Sequence, residues 1–413
     1  MEGSRTPRLM GLHWAWVILA VCFVDLFVNY SIRLGFGVVL PEMIRSLGLN
    51  RTQGGNIFNA YLAAYLCLTP LTGNLTDRFG ARRVITSFCF ILGLGTLLMG
   101  TVRHFLTACL FFALVGVGAS AMWTPVLTVV QRWFGRKRRG MALGILSTGY
   151  GLGFAATGWL FPVLVDNFSW RLCWFVLGAG ALAMVLVNAL MLRSSPEDVK
   201  ATPWGEEGSV QERPEAGPRA GRYREVFRSP TFWIIGTSYA LAACSLYIVT
   251  TFMVDYANVE LGLSFKEASF LATIHGISQV VGVLTIPMLS DRVGRKLTIA
   301  FSNLFIASSI AGIVLVGAST LGLYAAIFVL GTFYGVTWPM YGACGGDYFS
   351  REVMGTVIGA WTPFYGSGAI FAHLLAGRIR DVTGSFQLAF LLAVALAVVA
   401  ALLMFRLKPA DGR

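Results

Sequence analysis

Apolar and polar positions along this chain fall into long blocks rather than into short alternating periods. Twelve apolar runs are separated by short polar segments, and each run is close to the roughly 20 residues that a bilayer core of about 30 Å requires. The pattern therefore predicts an all-α polytopic membrane protein with twelve transmembrane helices. The predicted spans are 14–39, 54–75, 82–101, 105–131, 139–165, 171–193, 231–256, 266–289, 296–316, 320–344, 353–377 and 385–406.

Composition supports a membrane protein. Hydrophobic residues make up 56% of the chain and charged residues only 13%, against about 25% charged in soluble domains. The net charge of +12 does not indicate nucleic-acid binding, because most of the Lys and Arg residues lie in alternate polar segments between the apolar runs. By the positive-inside rule, this asymmetry predicts that both termini are cytoplasmic. We expect the protein in the cytoplasmic (inner) membrane, with the lipid bilayer as its partner.

Residues 194–230 form the one long polar segment and are rich in Pro, Gly and charge, which favours a flexible cytoplasmic linker. The predicted domains are a six-helix bundle over 1–193, this linker, and a second six-helix bundle over 231–413. Landmark residues of the first half recur in the second at one constant spacing, which indicates two pseudo-symmetric bundles, an architecture of secondary transporters. These pairs are Gly116 and Gly331, Trp123 and Trp338, Phe134 and Phe349, Gly140 and Gly355, and Gly144 and Gly359.

The hairpin between the second and third spans, "GNLTDRFGARR", carries a motif that returns as "PMLSDRVGRK" between the eighth and ninth. With the twelve spans and the repeat, it resembles the signature of the major facilitator superfamily, over essentially the whole chain. That resemblance implies the major facilitator fold and transport by alternating access. The matching residues are Gly73, Asp77, Arg78, Gly80, Arg82 and Arg83, and then Asp291, Arg292, Gly294, Arg295 and Lys296.

Within that superfamily, "HWAWVILAVCF" and "RWFGRKRRGMALGI" resemble the monocarboxylate and oxalate/formate transporter branch. The resemblance implies a small organic anion, a mono- or dicarboxylate, as substrate, with proton symport favoured and exchange for a counter-anion second. Two positions differ from the branch. Gln279 and Val283 stand where monocarboxylate transporters place an Asp and an Arg, and the eleventh span lacks the lysine of oxalate carriers.

The hairpin charges are gating candidates. A carboxylate is favoured at a helix N-terminus, and arginines bridge to carboxylates or carbonyls across the cytoplasmic face. We interpret Asp77, with Arg78, Arg82 and Arg83, as residues whose contacts hold the cytoplasmic gate closed. Asp291 and Arg292 are interpreted as a reduced second copy of this group. A solvated loop whose charges only set topology is the alternative.

Ionisable residues inside spans are costly and therefore indicate function. Asp25, Asn29 and Arg33 follow one another at helical spacing in the first span, so we expect one polar stripe facing a central cavity. Arg33 is the candidate for the substrate carboxylate, and it lies next to the position of a first-helix lysine in the monocarboxylate branch. Asp25 is the candidate for the coupling proton or for tuning Arg33. The alternative is a structural network with another helix.

His275, one turn before Gln279, is a second candidate for substrate or proton binding, with a satisfied core histidine as the alternative. His373 is expected to be structural. Polar and aromatic residues of other spans are weaker candidates for lining the cavity. They are Asn59, Tyr61, Tyr65, Trp123, Tyr150, Tyr247, Trp338, Tyr341, Trp361 and Tyr365.

Motifs of other protein classes are missing from the sequence. It has no P-loop, no HExxH and no cysteine–histidine cluster, so we predict no enzyme activity, no cofactor and no metal. Two alternatives stay open: an efflux transporter for amphipathic compounds, suggested by the aromatic content, and a transport-inactive membrane sensor with the same fold. We expect a monomer.

Overall fold

The computed structural model describes residues 8–9, 12–135, 137–205, 226–350 and 353–408. Over these residues it is almost entirely helical, which confirms the all-α prediction. A short antiparallel pair, β1 (Arg8–Leu9) and β2 (Leu12–His13), precedes the first helix. The α-helices are α1 (Trp14–Leu47), α2 (Arg51–Phe79), α3 (Ala81–Met99), α4 (Phe105–Ala119), α5 (Thr124–Trp133), α6 (Arg139–Asn167), α7 (Trp170–Met191), α8 (Pro230–Asp255), α9 (Phe265–Val293), α10 (Arg295–Val316), α11 (Thr320–Tyr348), α12 (Met354–Thr383) and α13 (Gln387–Arg406).

The helices reproduce the predicted spans closely. Among the described residues, 10 helical stretches are long and apolar enough to cross a bilayer, with α4 and α5 counting as one stretch. The other two long helices, α2 and α12, are 29 and 30 residues and carry more polar residues. These two hold several of the candidate site residues, including Asn59 and Tyr365.

The two largest differences from the prediction lie in the first and fourth spans. α1 continues to Leu47, well past the predicted end of its span at residue 39. The predicted fourth span is two helices, because the chain leaves helical geometry between Ala119 and Thr124. Pro125 then occupies the first turn of α5, where its missing N–H would have no intrahelical partner.

The described chain divides into two compact units. Unit 1 comprises residues 1–35, 60–154 and 163–212, and unit 2 comprises 36–59, 155–162 and 213–413. Unit 2 therefore includes the second part of α1, the start of α2 and a short stretch of α6, although these segments belong to the first half of the sequence. The predicted division at 194–230 stays a prediction.

The internal repeat is visible in the helix packing. In unit 1, α3 packs against α4 and α7, and in unit 2 the corresponding α10 packs against α11 and α13. Both signature hairpins turn on a glycine with positive φ, 82° at Gly80 and 94° at Gly294. A side chain is strained in that conformation, so the motif requires glycine at both turns.

The start of the predicted linker packs against unit 1. A 3₁₀ turn, Pro196–Val199, is followed by Trp204, whose N–H donates to the Trp133 carbonyl at 2.9 Å. The Trp204 ring lies 5.1 Å from Trp16, and the Arg138 guanidinium lies 5.5 Å from the Trp204 ring. These contacts fix the chain up to residue 205, and residues 206–225 of the predicted linker lie outside the described residues.

Candidate functional site

Arg33 lies among aromatic rings inside unit 1, and its side chain is buried. Its guanidinium carbon is 5.3 Å from the Tyr65 ring, 5.7 Å from Tyr61 and 5.8 Å from Tyr30. Tyr30 is on α1 one turn before Arg33, and the other two rings come from α2. Aromatic faces attract a cation at such distances but carry no net charge. This group of four residues is therefore positively charged.

A second aromatic group adjoins the first through Tyr30. The Tyr30 ring lies 5.4 Å from Tyr150 of α6 and 6.1 Å from Trp123, which precedes α5. Trp123 and Tyr150 also contact each other at 6.4 Å. The structure thus brings four sequence-predicted residues, Arg33, Tyr65, Trp123 and Tyr150, into one neighbourhood of unit 1.

Asp25 has a different neighbour from Arg33. It is buried, and its Oδ1 accepts a hydrogen bond of 2.8 Å from Nδ2 of Asn188 on α7. Arg33 contacts rings of α2 instead. The polar stripe facing a central cavity stays a prediction, and the hydrogen bond from Asn188 joins Asp25 to another helix. Asn29, between them in sequence, is also buried.

His275 and Gln279 are fully buried in α9 of unit 2. His275 Nδ1 and Gln279 Nε2 are 2.7 Å apart, and the imidazole packs edge-on against Tyr334 of α11 at 4.9 Å. The two residues are thus brought together within unit 2.

The remaining aromatic candidates of unit 2 have varied environments. The buried Tyr341 hydroxyl forms a hydrogen bond with Ser238 at 2.7 Å and accepts another from Asn303 at 3.0 Å. Trp361 stacks on Phe232 and donates to its carbonyl at 3.1 Å. Trp338 is 40% exposed. Tyr365 and Tyr247 contact each other at 5.9 Å.

Asn59 is part of a chain of hydrogen bonds that involves three helices. Its Nδ2 donates to the Ile370 carbonyl at 3.2 Å, which fixes the orientation of the amide. The amide Oδ1 then lies 2.7 Å from His373 Nδ1. Because an amide oxygen only accepts hydrogen bonds, His373 Nδ1 carries a proton. Its Nε2 meets the Thr251 hydroxyl at 2.9 Å. His373 thus links α2 to α8 and α12 within unit 2.

An ion-pair group that sequence reasoning missed lies at the start of α2, also within unit 2. The Arg51 guanidinium binds Asp255 through two hydrogen bonds of 3.0 and 3.2 Å, and Asp255 is fully buried. Asp381 accepts from the backbone N–H groups of Arg51 and Thr52, each at 2.9 Å, and caps the N-terminus of α2. Nearby, Arg380 pairs with Glu260 at 2.5 Å.

Some of these missed residues had a usable sequence signal. Asp255 and Asn188 lie inside predicted spans, where a polar side chain indicates a partner on another helix. Arg51 and Asp381 lie just outside the spans, among other polar residues. Nothing in their local pattern distinguishes them from ordinary loop charges.

The signature hairpins are mostly exposed. Asp77, Arg78, Arg83, Asp291 and Arg292 are all exposed. Arg82 is half-buried, and its guanidinium donates to the Ala189 carbonyl of α7. In the second hairpin, Arg295 pairs with Asp347 at 2.6 Å. The gate role of these residues stays a prediction.

Comparison with known proteins places these features in a family context. The profile of the Major Facilitator Superfamily matches residues 19–266 and 235–413. The chain is 25% identical to the probable sulfoacetate transporter SauU of Cupriavidus necator, over 95% of this chain and 94% of the relative. It is 26% identical to monocarboxylate transporter 4 of Rattus norvegicus, over 98% of this chain and 85% of the relative.

A solved structure shares the fold. The chain superposes on a bacterial homologue of the human lysosomal transporter Spinster, in an inward-facing, unoccupied conformation, with a TM-score of 0.73 at 18% identity. The superposition covers 95% of this chain and 96% of the other. At this identity the likeness concerns the fold alone, and it supports the predicted twelve-helix topology.

Proposed function

The chain belongs to the Major Facilitator Superfamily and is a secondary transporter of that type rather than an enzyme, and from this premise we propose that it carries a small organic anion by alternating access. The substrate class is a mono- or dicarboxylate, and the favoured energy source is proton symport. Exchange against a counter-anion is the second possibility. The membrane is the cytoplasmic (inner) membrane, with both termini in the cytoplasm.

The arrangement of Arg33 carries this proposal. A guanidinium placed inside a spanning helix is expensive and marks a functional position. The rings of Tyr30, Tyr61 and Tyr65 hold it at 5.3–5.8 Å without adding negative charge. A planar guanidinium binds a carboxylate through two parallel hydrogen bonds.

The relatives support the substrate class. Both sulfoacetate and monocarboxylates are small organic anions, and these are the substrates in the names of the two relatives. The other proposed contacts in unit 1 are Asn29, Tyr65, Trp123 and Tyr150. In unit 2, His275 and Gln279 are the proposed polar contacts, and Asp25 and His275 are the proposed proton-coupling residues.

Alternating access also requires contacts that form and break on each side of the membrane. On the predicted topology, the start of α2 is non-cytoplasmic. We therefore assign the contacts of Arg51 with Asp255 and of Asn59 with His373 to closure of that side. The hairpin residues Asp77, Arg78, Arg82, Arg83, Asp291 and Arg292 are the proposed counterparts on the cytoplasmic side.

Purified protein in liposomes tests the proposed role of Arg33. We expect pH-dependent carboxylate uptake by the wild type. In Arg33→Gln the uptake rate should fall by a factor on the order of 30 or more, because the bound substrate carboxylate loses its cationic partner. Arg33→Lys should also be strongly impaired, since an ammonium lacks the guanidinium fork. Arg45→Gln, a change in the exposed part of α1, is the matched control and should transport normally.

Wild-type uptake by Arg33→Gln would rule out the role of Arg33. Dye extrusion without carboxylate uptake by the wild-type protein would favour the efflux alternative. Any measured substrate flux excludes a transport-inactive sensor.

A further inference from the structure

A buried acid–amide pair joins α1 to α7 inside unit 1. Asp25 is 2% exposed and Asn188 is 0% exposed. Asn188 Nδ2 donates to Asp25 Oδ1 at 2.8 Å. Neither residue belongs to the aromatic group around Arg33, which lies two helical turns further along α1, roughly 12 Å along the axis.

The Asp25–Asn188 pair lacks one hydrogen-bond donor. Asp25 Oδ2 and Asn188 Oδ1 are both buried, and neither has a hydrogen-bond partner among the described residues. An ionised carboxylate and an amide oxygen only accept hydrogen bonds, so the two atoms cannot satisfy each other. A single proton on Asp25 Oδ2 makes that atom a donor for Asn188 Oδ1, while the existing N–H···O bond is kept. The protonated acid and the amide then form a complementary pair.

Two thiols, Cys22 on α1 and Cys89 on α3, lie within electrostatic range of the Asp25 carboxylate. No positively charged group acts on Asp25 among the described residues. The Cys89 thiol donates to the Ala181 carbonyl. On the α6 side, Gly149 packs against the Phe23 backbone and the Leu26 side chain of α1. No ion pair among the described residues includes Asp25.

We infer that Asp25 is the site of the transported proton and that Asn188 is its positioning residue, an inference that rests on the proton coupling proposed above. Loading forms an O–H bond at Asp25 Oδ2, and release returns the proton to water and leaves a carboxylate. The Asn29 amide, one turn further along α1 and also buried with an unpartnered Oδ1, is placed to turn its Nδ2 toward that carboxylate. The proton and the anion then bind at separate sites on α1.

Infrared difference spectroscopy tests the proton site without requiring transport. A pH titration of purified wild-type protein should show the carbonyl stretch of a protonated carboxylic acid, and Asp25→Asn should lack it. The matched control, Asp166→Asn, removes an exposed carboxyl group from α6 and should keep the band. Asn188→Leu should shift the frequency of the band and the midpoint of its titration. A band unchanged in Asp25→Asn would overturn the assignment, even if no substrate were ever found.

Exchanging the two residues tests the pair in liposomes. Accumulation of substrate driven by a pH gradient should be lost in Asp25→Asn and in Asn188→Asp. The reference for each variant is its exchange of labelled for unlabelled substrate, which requires no net movement of protons. The double variant D25N/N188D again has one acid and one amide, and it should recover accumulation. Wild-type accumulation by Asp25→Asn would overturn the proton role. Failure of a folded double variant to recover would overturn the role of Asn188. A wild-type protein that takes up no organic anion would instead refute the proposed function, and the infrared result would still stand.

Discussion

At the scale of single residues, the buried charges of this protein have three different kinds of partner. Arg33 is surrounded by aromatic rings, Asp25 binds a neutral amide, and Asp255 binds the Arg51 guanidinium. The contact of Asp255 with Arg51 is an ion pair between two helices, and such a pair can be broken and formed again during a transport cycle.

The Arg51–Asp255 pair makes a residue-scale prediction about stability. Arg51→Gln leaves a fully buried carboxylate without its cation, which should cost about 3–5 kcal/mol of stability. Replacing both residues, in R51M/D255L, removes the charge together with its partner and should cost less than either single change. Thermal unfolding of the purified variants in detergent measures the difference.

The control for this prediction is Arg45→Gln. Arg45 pairs with Glu42 at 2.6 Å, but its side chain is 62% exposed. Its removal should therefore change stability by no more than about 1 kcal/mol. A double variant less stable than both single variants would contradict the argument.

At the scale of helices, repeated glycines allow two pairs of helices to approach closely. A Cβ on Gly116 of α4 would lie 2.2 Å from the Tyr61 carbonyl oxygen of α2. A Cβ on Gly331 of α11 would lie 2.5 Å from the His275 carbonyl oxygen of α9. These two glycines are a landmark pair of the repeat, and each places its helix against one that carries candidate site residues.

Gly116→Ala and Gly331→Ala should each destabilise the protein by about 1–3 kcal/mol, because the backbones must separate. The control is Gly140→Ala in α6, where a Cβ would meet nothing within 4 Å. Melting temperatures of the three variants in detergent give the comparison. Equal melting temperatures for all three would show that these helix pairs tolerate separation.

At the scale of the whole molecule, the two compact units do not coincide with the two halves of the sequence. Segments 36–59 and 155–162 of the first half belong to unit 2. Contacts such as Arg51 with Asp255 and Thr273 with the Ala155 carbonyl therefore join the two halves independently of the linker.

Cutting the linker should consequently leave transport intact. A protease site inserted between residues 206 and 225 lies beyond Trp204, whose contacts hold the preceding chain on unit 1. After cleavage in the membrane, we expect the two fragments to purify together and uptake to remain near the wild-type rate. Separation of the fragments on purification would show that the linker itself holds the halves together.

The sequence alone determined the number of spans, their positions to within a few residues in most cases, the internal repeat and the family. Burial of a helix in lipid depends only on its length and composition, both of which are local properties. The break between α4 and α5 and the extension of α1 to Leu47 were missed, because apolar composition does not report local backbone geometry.

The partners of the polar residues were decided only by the tertiary structure. Asp25 and Arg33 share one row on α1, yet one binds α7 and the other packs against α2. Asn59 bonds to His373 of α12, a partner that no local pattern in the sequence indicates. A partner depends on how each helix is rotated and which helix lies beside it. Both are set by packing between segments far apart in the chain, and no local pattern records them.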